Sequence, residues 1–252
     1  MICYNPDSRK SLEYGVSNMH NIIHSTLREQ VADAIRVQII KHELEPGQRI
    51  IESEIAQQFG VSHGPVREAL RQLEQEGIIE YTRNAGCSVR DLSIEEIIEV
   101  LMIRCNIEYI AVKSIEGNFS EEVLADFREV LDMMKRSASI TDSDPEEIDA
   151  EFHRILILNA KMPHLIKLWD SLEYVMLFTF SNVVDYDEYM AMQFYNNHKV
   201  IYDAYESRNC DEICQAIHNH YMSNIDKMLT ANNMSASDLP FSLDIIKPCY
   251  NK

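Results

Sequence analysis

Asp149 and His153 stand four residues apart in the run Asp149-Ala-Glu-Phe-His153, a spacing that puts both side chains on one face of a helix. His198 and His220 lie further along, on either side of Asn209-x-x-Glu212, a helix-start signal that places a turn at Asn209. Each of these histidines is eleven residues from Asn209. Equal arms of an antiparallel hairpin bring the two imidazoles level, about 16 Å from the turn at ~1.5 Å rise per residue. One carboxylate and three imidazoles converging inside a helical bundle form a ligand set for a divalent metal ion, zinc foremost, with nickel or manganese as alternatives. A single histidine beside Phe152, Ile155 and Leu156 is more often a hydrogen-bonded core residue, so the convergence of all four carries the metal reading. His164 and His218 have no such spacing. Four protein ligands leave positions open on an octahedral ion, which is compatible with a metal-dependent hydrolase or lyase and with a metal-ion sensor. The sequence shows no separate acid or base beside the four.

The elements that must position these residues are helices. Ser93-x-x-Glu96, Asp144-Pro-x-Glu147, Asp185-x-x-Glu188 and Asn209-x-x-Glu212 are capping signals, and Ser120 and the Lys161-Met162-Pro163 break supply two more starts. They predict helices over about 93–116, 120–138, 145–160, 163–183, 187–207 and 210–231. With no strand pattern between them, the expected architecture is an antiparallel all-helical bundle. The run Tyr174-Val-Met-Leu-Phe-Thr-Phe180 reads as bundle core, and the acidic run 142–147 as a loop and helix cap.

A different chemistry precedes the bundle. In Ser62-His-Gly-Pro-Val-Arg-Glu-Ala-Leu-Arg-Gln-Leu73 the apolar Val66, Ala69, Leu70 and Leu73 follow i, i+3, i+4, i+7 spacing, leaving Arg67 and Arg71 on another face. Ser62 is placed to cap this helix with its hydroxyl and Pro65 fits its first turn. The short helix pattern 52–59 closes at Gly60, giving a helix-turn-helix. Ile78–Tyr81 and Cys87–Arg90 read as the strands of a hairpin around the turn residues Arg83-Asn-Ala-Gly86, and Pro46-Gly47 turns into a short strand ending at Ile50. A winged helix-turn-helix of this kind inserts its second helix into the DNA major groove.

These residues together resemble the GntR family of bacterial transcription regulators. Leu44-x-Pro-Gly-x-x-Ile50, Glu52-x-x-Ile-Ala56, Gly60-Val-Ser62, Pro65-Val-Arg-Glu-Ala-Leu70 and Glu76-Gly77 stand where that family's winged-helix domain has its signature. The chain departs from the pattern with His63 and Gly64, where Arg then Thr is common, and with Ala85 at the wing tip, where a basic residue is usual. Ser62, His63, Gly64, Arg67, Arg71 and Arg83 are the expected DNA contacts. Asp149-x-x-x-His153, His198-x-x-Ile-x-x-Ala204 and His220 resemble the FCD effector domain of the same family, whose metal-binding members use these four positions. Arg104-x-x-x-Glu108 also matches. The resemblance implies that Arg104 faces an effector cavity as a guanidinium clamp for a carboxylate. Lys161-Met162 replaces the Gly-Asn pair usual before Pro163.

The expected organisation is an N-terminal extension at 1–19, a winged helix-turn-helix domain at 20–91, an FCD-like helical effector domain at 92–231 and a tail at 232–252. The formal net charge of -18 at first argues against a nucleic-acid partner, but the charge is unevenly spread. Residues 1–90 carry 10 Lys and Arg against 12 Asp and Glu, while residues 91–252 carry 13 against 29. An acidic effector domain leaves the first domain free to present a local basic face. The six cysteines include no C-x-x-C pair and follow no secretory-type leader, so reduced cytoplasmic thiols are expected. No apolar run approaches the roughly 18 residues of a membrane span. The whole reads as a ligand-responsive regulator, in the sense of a repressor, acting as a homodimer on a double-stranded palindromic DNA operator and answering to a small carboxylate metabolite.

Overall fold

The computed structural model describes residues 26–40, 43–83, 86–137, 145–173 and 188–245. The extension at 1–19, Ala85 at the wing tip, the caps Asp144 and Asp185, and the aromatic run 174–180 lie outside the described residues. The chain divides into two compact units, Met1–Asp91 and Leu92–Lys252.

In the first unit, α1 (Leu27–Ile40), α2 (Glu52–Phe59) and α3 (His63–Gln75) are followed by the strands β2 (Ile79–Thr82) and β3 (Gly86–Val89), with β1 (Arg49–Ile50) between α1 and α2. α3 packs on both α1 and α2 through Val66, Ala69, Leu70 and Leu73, all fully buried. Gly60 ends α2 in the left-handed conformation, φ 64°, which a side chain would strain. That tight stop lets α3 begin three residues later. The sheet runs β1-β3-β2, antiparallel throughout. Tyr81 faces Cys87 and Thr82 faces Gly86, so the hairpin strands span 79–82 and 86–89 rather than 78–81 and 87–90. Gly86 therefore belongs to the returning strand, at φ 93°. Ser62 occupies the N-cap position of α3 but its side chain makes no capping bond, against the sequence expectation. Its hydroxyl stays available at the exposed end of the helix.

The described part of the second unit holds six α-helices: α4 (Ile94–Ser114), α5 (Glu121–Ser137), α6 (Pro145–Asn159), α7 (Pro163–Asp170), α8 (Glu188–Ser207) and α9 (Cys210–Ala231). Ser93 and Glu96 complete the capping box that opens α4, and Asn209 caps α9 by accepting from the amides of Asp211 and Glu212. α4 packs on α6, α7 and α9, α5 on α6 and α8, and α8 on α9. The core contains the rings of Phe119, Phe127, Phe152 and Tyr205, with Phe127 at 5.1 Å from Phe152 and 4.6 Å from Tyr205. Gly117 (φ 68°) lets the end of α4 approach the α8–α9 turn, since a Cβ there would sit 3.1 Å from the Arg208 carbonyl oxygen. The helix expected over 163–183 ends at Asp170, where Ser171 accepts the C-cap role and turns follow to 173. The tail adds two 3-10 turns, Ala236–Asp238 and Leu243–Ile245, with Leu239 buried.

Candidate metal centre and nucleic-acid interface

α6 supplies Asp149 and His153, α8 supplies His198 and α9 supplies His220. All four side chains are buried, and each offers one ligand atom such that these atoms lie within 4.8 Å of one another. The ring centroids of His198 and His220 are 4.7 Å apart, as level arms of a hairpin require.

The donor directions are set by what lies behind each ring. Nδ1 of His198 is 2.9 Å from the carbonyl oxygen of Phe194, one turn earlier on α8. A carbonyl only accepts, so Nδ1 carries the hydrogen and the lone pair of the neutral ring sits on Nε2. Nε2 is 3.0 Å from Oδ1 of Asp149, off the line of an ideal hydrogen bond. With Nδ1 spent on the carbonyl, Nε2 and the carboxylate oxygen both face the point that a divalent ion would share. His153 repeats the arrangement. Its Nε2 is 3.9 Å from Asp149 Oδ1, while its Nδ1 lies 2.9 Å from Oε1 of Glu108, at ion-pair distance though off the line of an ideal hydrogen bond. His220 keeps Nδ1 buried without a protein partner, and its Nε2 is 3.4 Å from the Asn224 side-chain nitrogen. The residues present fit a divalent ion.

Charge in the cluster is finely set. Burial alone would raise the Asp149 pKa, but His198, His153 and His220 hold it well below the usual carboxylate range. Burial would strip charge from His153, yet the Glu108 carboxylate and then Asp149 outweigh it and lift its pKa above the ordinary value, against Arg104. Burial, with His198 and His153 beside it, drives His220 far down, so its ring is neutral and a competent ligand.

Two neighbours were not legible as part of this site. Glu108, fully buried on α4, also accepts from the hydroxyl of Tyr221 at 2.5 Å. The sequence shows it only as the match Arg104-x-x-x-Glu108, and it corrects the expectation that no separate carboxylate stands beside the four. Trp169 of α7 is the other: the guanidinium carbon of Arg104 lies 3.7 Å from the centre of its ring. Arg104 is 1 % exposed, and its Nε and Nη1 have no protein partner.

In the first unit, Ser62, His63, Gly64, Arg67, Arg71 and Arg83 are all exposed. Arg67 is not free. Its Nε and Nη2 donate to Oε2 of Glu52 at 3.3 and 3.2 Å, which raises its pKa, and Arg71 pairs with Glu68 at 2.9 Å. Arg49, which the sequence reading passed over, lies with its guanidinium against Gly86 of the wing. Its only signal was the polar-apolar alternation of Arg49-Ile50.

Residues 27–89 match the bacterial regulatory proteins of the gntR family, and residues 99–223 match the FCD domain. This chain belongs to the gntR family of bacterial regulators. Similar proteins include one named as the probable D-xylose utilization operon transcriptional repressor of Paenarthrobacter nicotinovorans, 32% identical over 60% of this chain and 67% of that protein. The gluconate operon transcriptional repressor of Bacillus licheniformis is 26% identical over 76% of this chain and 81% of its own length. The solved structure of Escherichia coli McbR/YncC superposes with a TM-score of 0.68 at 20% identity, covering 83% of this chain and all of that one; it shares the fold. This GntR regulator thus joins a helix-turn-helix unit to an FCD effector-binding unit, and its domains and relatives are those of transcription regulators rather than enzymes, so the hydrolase or lyase alternative is not retained. Among its described residues, no helix is long and apolar enough to cross a membrane.

Proposed function

We propose that this GntR regulator is a repressor that binds a palindromic operator as a homodimer and answers to a small organic acid held at a metal-assisted site in the FCD domain. The observation that carries the reading is the buried Asp149, His153, His198 and His220 cluster, with the guanidinium of Arg104, idle at Nε and Nη1, close enough for its charge to act on His153. A divalent ion on the four ligands supplies an electropositive anchor for a carboxylate oxygen. Arg104, laid flat on Trp169, has Nε and Nη1 idle on two edges of its guanidinium, and either can donate to a carboxylate oxygen. A buried guanidinium with idle donors is costly, and an anionic ligand removes that cost. The relative named for the gluconate operon supports an acid as effector, since gluconate is itself a small carboxylate.

The DNA contacts are assigned to Ser62, His63 and Gly64 at the N-terminal end of α3, to Arg67 and Arg71 along it, and to Arg83 beside the wing. Two such helices in a homodimer need half-sites about one helical turn apart. The effector changes operator affinity only as far as it binds one arrangement of the protein better than another. The test is fluorescence anisotropy on a duplex selected from random sequence by repeated binding. Affinity is measured with chelator, with Zn2+, Ni2+ or Mn2+, and then with a panel of small carboxylates. A change that requires both metal and acid supports the reading. A full change with metal alone makes the ion the signal, and no response to any acid removes the carboxylate effector.

A further inference from the structure

We infer that Glu108 is a positioning residue that holds His153 in its metal-binding tautomer, and that Tyr221 holds Glu108 in turn. The inference rests on the metal reading of the four-residue cluster and adds two residues, on α4 and α9, that lie behind it.

An imidazole ligates an ion only through a nitrogen that carries no hydrogen, and the hydrogen bond made by the other nitrogen decides which one that is. The three histidines of the cluster meet this requirement differently. His198 is oriented by its own helix, through the carbonyl of Phe194 four residues earlier. His220 has Asn224, also on its own helix, 3.4 Å from Nε2, and only with its amide oxygen turned to that nitrogen would Asn224 place a hydrogen there. His153 depends on another helix: Nδ1 stands 2.9 Å from Oε1 of Glu108. This Oε1 is an acceptor, since it takes the hydrogen of another group's hydroxyl, so it places the hydrogen on Nδ1 and leaves the lone pair on Nε2, the nitrogen on the Asp149 side of the ring.

The same Oε1 accepts the Tyr221 hydroxyl at 2.5 Å. Tyr221 follows His220 directly in the chain, so one carboxylate oxygen ties α4, α6 and α9 together immediately behind two of the ligands. Both Glu108 and Tyr221 are buried, which shields the two contacts from solvent. Removing the carboxylate frees the His153 ring to take the other tautomer, which points an N–H at the ion, or to turn over, which points a C–H there.

The experiment is chelator competition for Zn2+ on the full chain, for wild type, Glu108→Gln, Tyr221→Phe, His153→Ala and the double variant Glu108→Gln/His153→Ala. Glu108→Gln is expected to weaken Zn2+ binding by about 10–100-fold, and Tyr221→Phe by a smaller factor in the same direction. In the His153→Ala background, Glu108→Gln should cause no further loss, because Glu108 acts through His153. Proton NMR should show an exchange-protected, downfield imidazole N–H in the wild type that His153→Ala abolishes and Glu108→Gln shifts. Wild-type affinity in Glu108→Gln, or an equally large loss with and without His153, overturns the inference while leaving the metal centre intact. Failure of the wild type to bind Zn2+, Ni2+ or Mn2+ removes the metal reading first and this inference with it. If circular dichroism shows that Glu108→Gln is unfolded, Tyr221→Phe carries the test, and wild-type affinity there overturns it.

Discussion

His198 shows how one ring divides its work, with Nδ1 spent on the Phe194 carbonyl and Nε2 turned to Asp149. Arg67 is the corresponding residue of the first unit. It is held by Glu52 across the helix-turn-helix, so the proposed DNA contact requires the guanidinium to share or exchange that carboxylate. Arg67→Ala should weaken operator binding by about 1–3 kcal/mol, and unchanged affinity in a gel-shift titration would take Arg67 out of the interface. Cys87 gives a prediction in pH. Burial, aided by the Glu74 charge, pushes its thiol from 9.0 up to about 11, so the folded chain keeps a proton that the unfolded chain releases above 9. Its contribution to stability is complete below about pH 9 and is lost as pH rises toward 11. Urea midpoints between pH 9 and 11 should therefore fall less steeply for Cys87→Ala than for wild type; parallel slopes would show that the thiol does not contribute.

At the scale of elements, the Ser93 capping box and the Asn209 cap were legible in the sequence of the effector domain. Ser93 accepts from the Glu96 amide at 3.2 Å and Glu96 returns the bond to the Ser93 amide at 3.0 Å, which starts α4 and so sets the register of Arg104 and Glu108. Ser93→Ala should cost about 1 kcal/mol, read from the urea midpoint of the effector domain, and no loss would show that packing alone fixes the helix start. Where side chains and backbone compete more evenly, the sequence misleads. Ser62 sits at an N-cap position without bonding there, and the helix expected over 163–183 stops at Asp170, where Ser171 turns its hydroxyl back to the Leu168 carbonyl and the periodicity of apolar residues beyond it carries no stop signal.

At the scale of the whole molecule, the charge is concentrated in the FCD domain, where residues 91–252 hold 29 of the 41 acidic residues. A bound ion acts on folding through linkage. At metal one hundredfold above its dissociation constant, the folded state gains about 2.7 kcal/mol, so chelation should lower the midpoint of thermal unfolding and His153→Ala/His220→Ala should abolish the response. A double variant that still gains stability from Zn2+ would place the ion elsewhere.

Residue type and spacing were enough to set the winged-helix signature, the bundle and the convergence of Asp149, His153, His198 and His220 on one point, since all of these follow from helical period, caps and the length of two hairpin arms. The register of the wing, the pairing of Arg67 with Glu52, and the stacking of Arg104 on Trp169 were decided only in three dimensions. So was the shared use of Glu108 by His153 and Tyr221, residues 45 and 113 positions away. Local rules reach one turn along a helix, whereas partners brought together by packing leave no periodic trace in the chain.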